Sequence, residues 1–236
     1  MKQTITLILL SLTFLFSCGK KDPNNQNNNN QNANSVTDVD GNIYPTVTIG
    51  SQIWMAKNLA VAHYRNGDPI PNITDQTIWE NTLLGAWCNY DNNSAYGDIY
   101  GKLYNWYAIN DPRNVAPTGW HVATRTDYQT LVTHLGGILG QDDSVAGGKM
   151  KEAGLLHWEA PNTGATNSSG FTSLPAGWLD INGFYAIFEG TIWWAVDPIT
   201  QNFVSKFAYS NGAGHAGAMP LMPLPNVGCS IRCVKD

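Results

Sequence analysis

Hydrolysis by side chains needs a nucleophile with a base, or two carboxylates about 5 to 9 Å apart in a cleft. Neither arrangement is spelled as a motif in this sequence of 236 residues. His157-Trp158-Glu159 could bring an imidazole and a carboxylate together, but the spacing is no known catalytic signature. His63, His134 and His215 are too dispersed to suggest a metal site. Asp38-x-Asp40-x-Asn42 has the opening spacing of a calcium loop, yet Ile43 stands where the loop needs glycine and no glutamate closes it. Neither a metal nor a cofactor is expected. The clearest chemistry belongs to a thiol, Cys18.

Lys2 supplies a short basic segment, and Ile5 to Phe16 form a mostly apolar run interrupted by Thr6, Ser11 and Thr13. At about 12 residues this run is too short for a bilayer, which needs roughly 20, and no later run reaches that length. It closes on Leu15-Phe16-Ser17-Cys18, the order of a bacterial lipobox: an aliphatic residue three before the cysteine, a small one directly before it, then the acylated thiol. Phe16 is bulkier than the usual occupant of its place. Residues 1–18 are thus expected to be a lipoprotein signal peptide, with lipid such as palmitate on Cys18 and the membrane as partner. The expected location is the outer membrane or cell surface. In Asp22 to Ser35 eight of fourteen residues are Asn and two are Gln, so residues 19–35 cannot bury enough surface to order themselves and read as a disordered tether. Residues 36–236 remain for one domain.

That domain is weakly charged: Asp, Glu, Lys and Arg make up 13% of the chain, with a net charge of -5 and no basic cluster, so nucleic acid is not an expected partner. Nine Trp, ten Tyr, 23 Gly and 12 Pro describe an aromatic-packed, loop-rich exported domain. With Cys18 given to lipid, Cys88, Cys229 and Cys233 allow at most one internal disulfide, which export makes plausible.

The elements follow from pattern. Asp40-Gly41 and Gly50-Ser51 predict two tight turns joining three strands between Val36 and Met55. Leu103, Trp106 and Tyr107 fall at helical spacing within Lys102 to Asn110, with their face directed to the core. Tyr128, Leu131, Val132 and Leu135 predict a helix over Asp127 to Leu135, capped by a Thr126/Gln129 pair and stopped at Gly136-Gly137. A further helix is expected over Ser144 to Ala153, despite Gly147 and Gly148. After Leu155 come short apolar stretches broken by Gly, Pro, Asn and Ser. Early helices followed by short strands and long loops make an irregular α+β domain.

The residues also carry a resemblance. Asp38-Val-Asp-Gly-Asn-Ile-Tyr44, Gln52-Ile-Trp-Met-Ala-Lys-Asn-Leu59, Tyr100-Gly-Lys-Leu-Tyr-Asn-Trp-Tyr107, Pro117-Thr-Gly-Trp-His-Val122, Gly147-Gly-Lys-Met-Lys-Glu152, Pro161-Asn-Thr-Gly-Ala-Thr-Asn167 and Ser230-Ile-Arg-Cys-Val-Lys-Asp236 occur in order. Together they resemble the Fibrobacter succinogenes major paralogous domain across residues 36–236. The resemblance implies a C-type-lectin-like fold shared with formylglycine-generating enzymes, in surface lipoproteins. It does not imply their oxidase chemistry, because no close cysteine pair precedes the last strand. It makes His121 a satisfied core histidine. It also casts Cys233 as the structural cysteine of the terminal strand, which gives the expectation of a Cys88–Cys233 disulfide with Cys229 free and buried.

Lectin-like domains display long loops between their last strands. Here Gly183 to Gly228 carries Trp193, Trp194, Asp197, Asn202, Tyr209, Asn211 and His215. In an extended strand only one of two adjacent tryptophans can face a one-sided core, so the other is expected at the surface. The expected function is non-enzymatic binding of an extracellular glycan or protein by these loops. The competing readings are a carbohydrate-active hydrolase with an unrecognised carboxylate pair and a structural envelope protein. Departures from the family pattern at Ala195 to Asp197, with the Met219 to Pro225 run, also suit a loop randomised by a diversity-generating retroelement.

Overall fold

Ile43 to Ile49 is dense in β-branched and aromatic residues and is bounded by turn formers on both sides. A computed structural model describes residues 34–138, 144–196, 205–210 (backbone only) and 225–236, and in it this segment is a strand, β2 (Ile43–Ile49). It lies between β1 (Ser35–Thr37) and β3 (Gln52–Met55), and Gly41 and Gly50 take the left-handed backbone that the two turns require. The three expected strands are therefore present. In chain order follow α1 (Gln76–Asn81), β4 (Trp87–Cys88), α2 (Ser94–Tyr100), β5 (Leu103–Tyr104), α3 (Trp106–Ile109), β6 (Trp120–Val122), α4 (Arg125–His134) and α5 (Ser144–Met150). Then come β7 (Ala176–Asp180), β8 (Gly183–Ile187), β9 (Gly190–Ala195), β10 (Ser205–Ser210) and β11 (Cys233–Lys235). The class is mixed α+β.

One sheet has the order β1-β2-β3-β11-β6, so the last strand of the chain is inserted between two early ones, Val234 opposite Trp54 and Cys233 opposite Val122. A second sheet runs β10-β9-β7-β8, and β4 pairs with β5. All six residues of β9 are buried. Trp193 belongs to a cluster with Trp54, Tyr128, Leu131 and Phe171, whereas Trp194 belongs to another with Tyr44, Met55, Tyr104 and Trp120. The strand has a core on each face. Both indoles are fully buried, and both N–H groups donate, Trp193 to Asn58 Oδ1 at 2.9 Å and Trp194 to the Tyr104 carbonyl at 2.6 Å. The expectation that one of the pair reaches the surface is thus corrected: it assumed a one-sided core.

The helices shift from their predicted bounds for local reasons. The cap of α4 is Thr124 with Asp127, not Thr126 with Gln129, because Gln52 and His121 also hold the Asp127 carboxylate there. Within Lys102 to Asn110, Leu103 and Tyr104 pair with Cys88 and Trp87 as strand, and the helix begins only after Asn105, whose Oδ1 accepts from Ala86 N and Ala108 N. The chain leaves α5 at Met150 because Lys151 pairs with Ser173. Gly148 in this helix stands where a Cβ would sit 2.4 Å from the Gly164 carbonyl oxygen, so a close backbone approach explains a glycine that helix propensity disfavours.

The expected Cys88–Cys233 disulfide is absent. Cys88 packs in a third cluster with Trp79, Leu103 and Leu179, and Cys233 packs in the Trp194 cluster; both are free and buried, and Cys229 is buried in the Trp194 cluster too. Burial raises the Cys88 and Cys233 thiols well above the ordinary range, so these are inert apolar side chains.

Because Trp193 and Trp194 fill the two cores, Trp193→Ala and Trp194→Ala should each destabilise the domain by about 3–5 kcal/mol. Urea denaturation measures this; a loss under 1 kcal/mol for either would mean that its face of β9 is not a core.

Candidate functional site

Glu152 lies just past α5, and the exposed turn Gly154-Leu155-Leu156 brings His157 back beside it. The imidazole Nδ1 is 2.9 Å from each oxygen of the Glu152 carboxylate. A carboxylate only accepts, so Nδ1–H donates and Nε2 keeps its lone pair in the neutral ring. The side chains are 23% and 17% exposed, which keeps the pair accessible yet partly desolvated. Tyr100 meets the imidazole edge-on at 5.8 Å. Burial, and then the charge of Glu152, raise its phenol above the ordinary value.

These three residues line a cleft of about 300 Å³ together with Lys57, Asn58 and Arg232. A neighbouring cleft of about 220 Å³ shares Lys57, Asn58 and Ile99 and adds Asp98 and Lys102. Beside Tyr100 stands Phe188, its ring 6.4 Å from that of Tyr100 and 6.2 Å from that of Tyr96. Phe188 has φ +69° and is 39% exposed. A left-handed Phe costs of order 1–3 kcal/mol and persists only where its surroundings over-determine it. Here they do: Phe188 N donates to Pro175 O, and Glu159 N donates to Phe188 O. The arrangement offers an imidazole, a carboxylate and an ammonium beside a partly exposed aromatic group.

Another cleft, about 520 Å³, lies between β1 and residues 115–120. Its Arg65 is committed to the carbonyls of Ala116, Pro117 and Trp120, which makes it a structural clamp.

The sequence-predicted site residues fare differently. Trp193 and Trp194 are core. Tyr209 lies on β10 opposite Thr191, whereas Cys18, Asp197, Asn202, Asn211 and His215 fall outside the described residues. Within His157-Trp158-Glu159, Trp158 turns inward to donate to Ser173 O, and the imidazole bonds to Glu152 instead of the expected Glu159. Asp38 accepts from Asp40 N, Asn42 N, Asn42 Nδ2 and the Tyr44 hydroxyl, so the calcium-like spacing is a turn closed by its own carboxylate. Lys57, Tyr100, Glu152 and Arg232 were missed as site residues. All four stand within motifs quoted for the resemblance, but in four separate motifs, and nothing in their spacing links them.

A family profile described as the Fibrobacter succinogenes major domain matches residues 47–235. No curated protein and no solved structure matches the chain.

His121 is half-buried rather than core, and both ring nitrogens face acids: Nε2 is 3.0 Å from Asp127 Oδ2 and Nδ1 is 2.8 Å from Asp236 Oδ1. The hydrogen bond to Asp127, offset in part by burial and assisted by Asp236, raises the imidazole above its ordinary 6.5. The Asp127 carboxylate is held below 3.8: burial opposes this, and the bonds from His121 and Thr124 outweigh it. A raised histidine stabilises fully below its unfolded value and loses that contribution as pH rises through its folded value. A lowered carboxylate stabilises above its unfolded value and loses it as pH falls through its folded one. His121→Gln should therefore cost most stability between about pH 4 and 6.5, and progressively less at higher pH. Denaturation at pH 5 and pH 9 tests this; an equal loss at both would exclude a charged clasp.

Proposed function

The chain belongs to the Fibrobacter succinogenes major domain family, and from that premise we propose a lipid-anchored cell-envelope protein whose lectin-like domain binds a glycan without turning it over. The observation that carries this reading is the His157–Glu152 pair, set with Tyr100 in a 300 Å³ cleft beside the half-exposed Phe188. Such a volume suits a single sugar unit, acids, bases and amides grip hydroxyls, and an aromatic face takes the C–H side of a pyranose. On this reading binding belongs to this cleft and not to the buried tryptophan pair. Glu152 is the one carboxylate among the residues lining the cleft, and the imidazole engages both of its oxygens, an arrangement better suited to holding a ligand than to paired-acid hydrolysis. The C-type-lectin-like reading of the α+β domain rests on the order of the motifs. The lipid on Cys18 and the Asn-rich segment after it would hold the domain off the membrane on the outside of the cell.

A glycan array probed with detergent-solubilised full-length protein should yield a ligand whose affinity falls at least about tenfold, or 1.4 kcal/mol, in His157→Ala and Glu152→Gln. Undiminished binding by both folded variants would move the site elsewhere. Separately, Cys18→Ser should abolish incorporation of labelled palmitate and release the protein from membranes; retained label would refute the anchor.

A further inference from the structure

The floor of the cleft is a cation that no acid neutralises. Arg232 is 1% exposed, and its guanidinium donates to Asn58 Oδ1 at 2.6 Å, to the carbonyls of Met55 and Phe171 at 2.8 and 2.9 Å, and to that of Thr172 at 2.9 Å. Every one of these acceptors is neutral. They use four of the five N–H groups of a guanidinium, so one on Nη2 takes no partner among the described residues. The plane also stacks on Phe171, with 4.4 Å from the guanidinium carbon to the ring centre, which offsets part of the desolvation. A buried guanidinium normally has a carboxylate beside it. This one has a cleft.

Lys57 lines the same cleft, is exposed, and forms no salt bridge among the described residues. Against these two cations the cleft sets one acid, Glu152, already bonded to His157. Two positive charges less one negative leave one positive charge. A monoanion balances it, whereas a phosphate dianion would add a charge in excess beside Glu152.

We propose that the cleft selects a carboxylate-bearing, uronic-acid-type sugar unit, the carboxylate lying between the Lys57 ammonium and the free Nη2 N–H of Arg232. This rests on the glycan-binding reading and names its ligand class. His157 and Glu152 then address the hydroxyls of the same unit. Charge-assisted bonds in a partly desolvated cleft give the preference over the neutral sugar.

The test uses full-length protein in detergent, titrated with uronic-acid trimers and with the same trimers methyl-esterified, which keeps shape and removes charge. The acids should bind at least about tenfold more tightly than their esters, and Lys57→Ala should weaken the acids about fivefold while Lys57→Arg retains them. The Arg232 Nε–H resonance should shift with the acids and not with the esters, a readout that a purely structural arginine would not give. Equal binding of acid and ester overturns the charge inference and leaves the glycan reading standing. Absence of binding by either form, when neutral glycans bind on the array, overturns it as well. Absence of any glycan ligand removes the glycan reading itself and this inference with it.

Discussion

Asn58 and Arg232 form the junction on which the remaining architecture depends. The Asn58 amide accepts from the indole of Trp193 and from Nε of Arg232, and donates to the Tyr100 carbonyl and the Ser230 hydroxyl. One buried side chain thereby joins residues near positions 58, 100, 193 and 230. Arg232 extends the junction to Met55, Phe171 and Thr172. Every donor in this group is buried, so losing a single partner would leave a polar atom dry, a penalty larger than the bond itself contributes. Such a network gives the long, glycine-rich connections of this domain few alternatives. The loops are fixed because their ends are.

The junction also explains why β9 can be buried on both faces. A strand with two apolar faces needs a core on each, and each core needs its own wall. Trp193 is held toward the α4 side by Asn58, Phe171 and Tyr128, whereas Trp194 is held by the Tyr104 carbonyl and by Trp106, 5.9 Å away. The terminal segment closes the arrangement: Ser230 exchanges backbone bonds with Ile192 and Trp194, and β11 then enters the first sheet. The C-terminus is thus an interior strand of the fold. Its motif residues, Ser230 to Cys233, are buried for that reason.

What could be read from the sequence was local. The strands around Gly41 and Gly50, the helix carrying Tyr128 and Leu131, and the mixed class all follow from turn chemistry and periodicity acting over a few residues. What escaped was set by distant partners. The true cap of α4 depends on Gln52, 75 residues away, and the early end of α5 depends on Ser173. The tryptophan pair was misplaced for the same reason, since alternation shows that two faces exist but not that both are covered. At the site, His157 was visible as a candidate, yet its acid lies five residues back across a glycine turn, and a motif search looks for fixed spacing. Lys57, Tyr100 and Arg232 belong to three separate stretches that only the Asn58 junction brings together.

If the proposed cleft is the binding site, fold and recognition draw on the same atoms, with a consequence for how the site can vary. A residue that both stitches a core and floors a cleft cannot be exchanged to alter ligand choice without loosening the domain. Arg232 is in that position, fully committed on one side and carrying one free N–H on the other. Lys57, which lines the cleft, is not, and neither are Phe188 and the Leu155-Leu156 turn outside the lining: all are exposed. Change in ligand preference is accordingly cheap at the rim and expensive at the floor. The fixed feature of the proposed site is then a buried positive charge, and a ligand seated there would have to answer that charge first, with the rim deciding which molecule carrying the matching group is held.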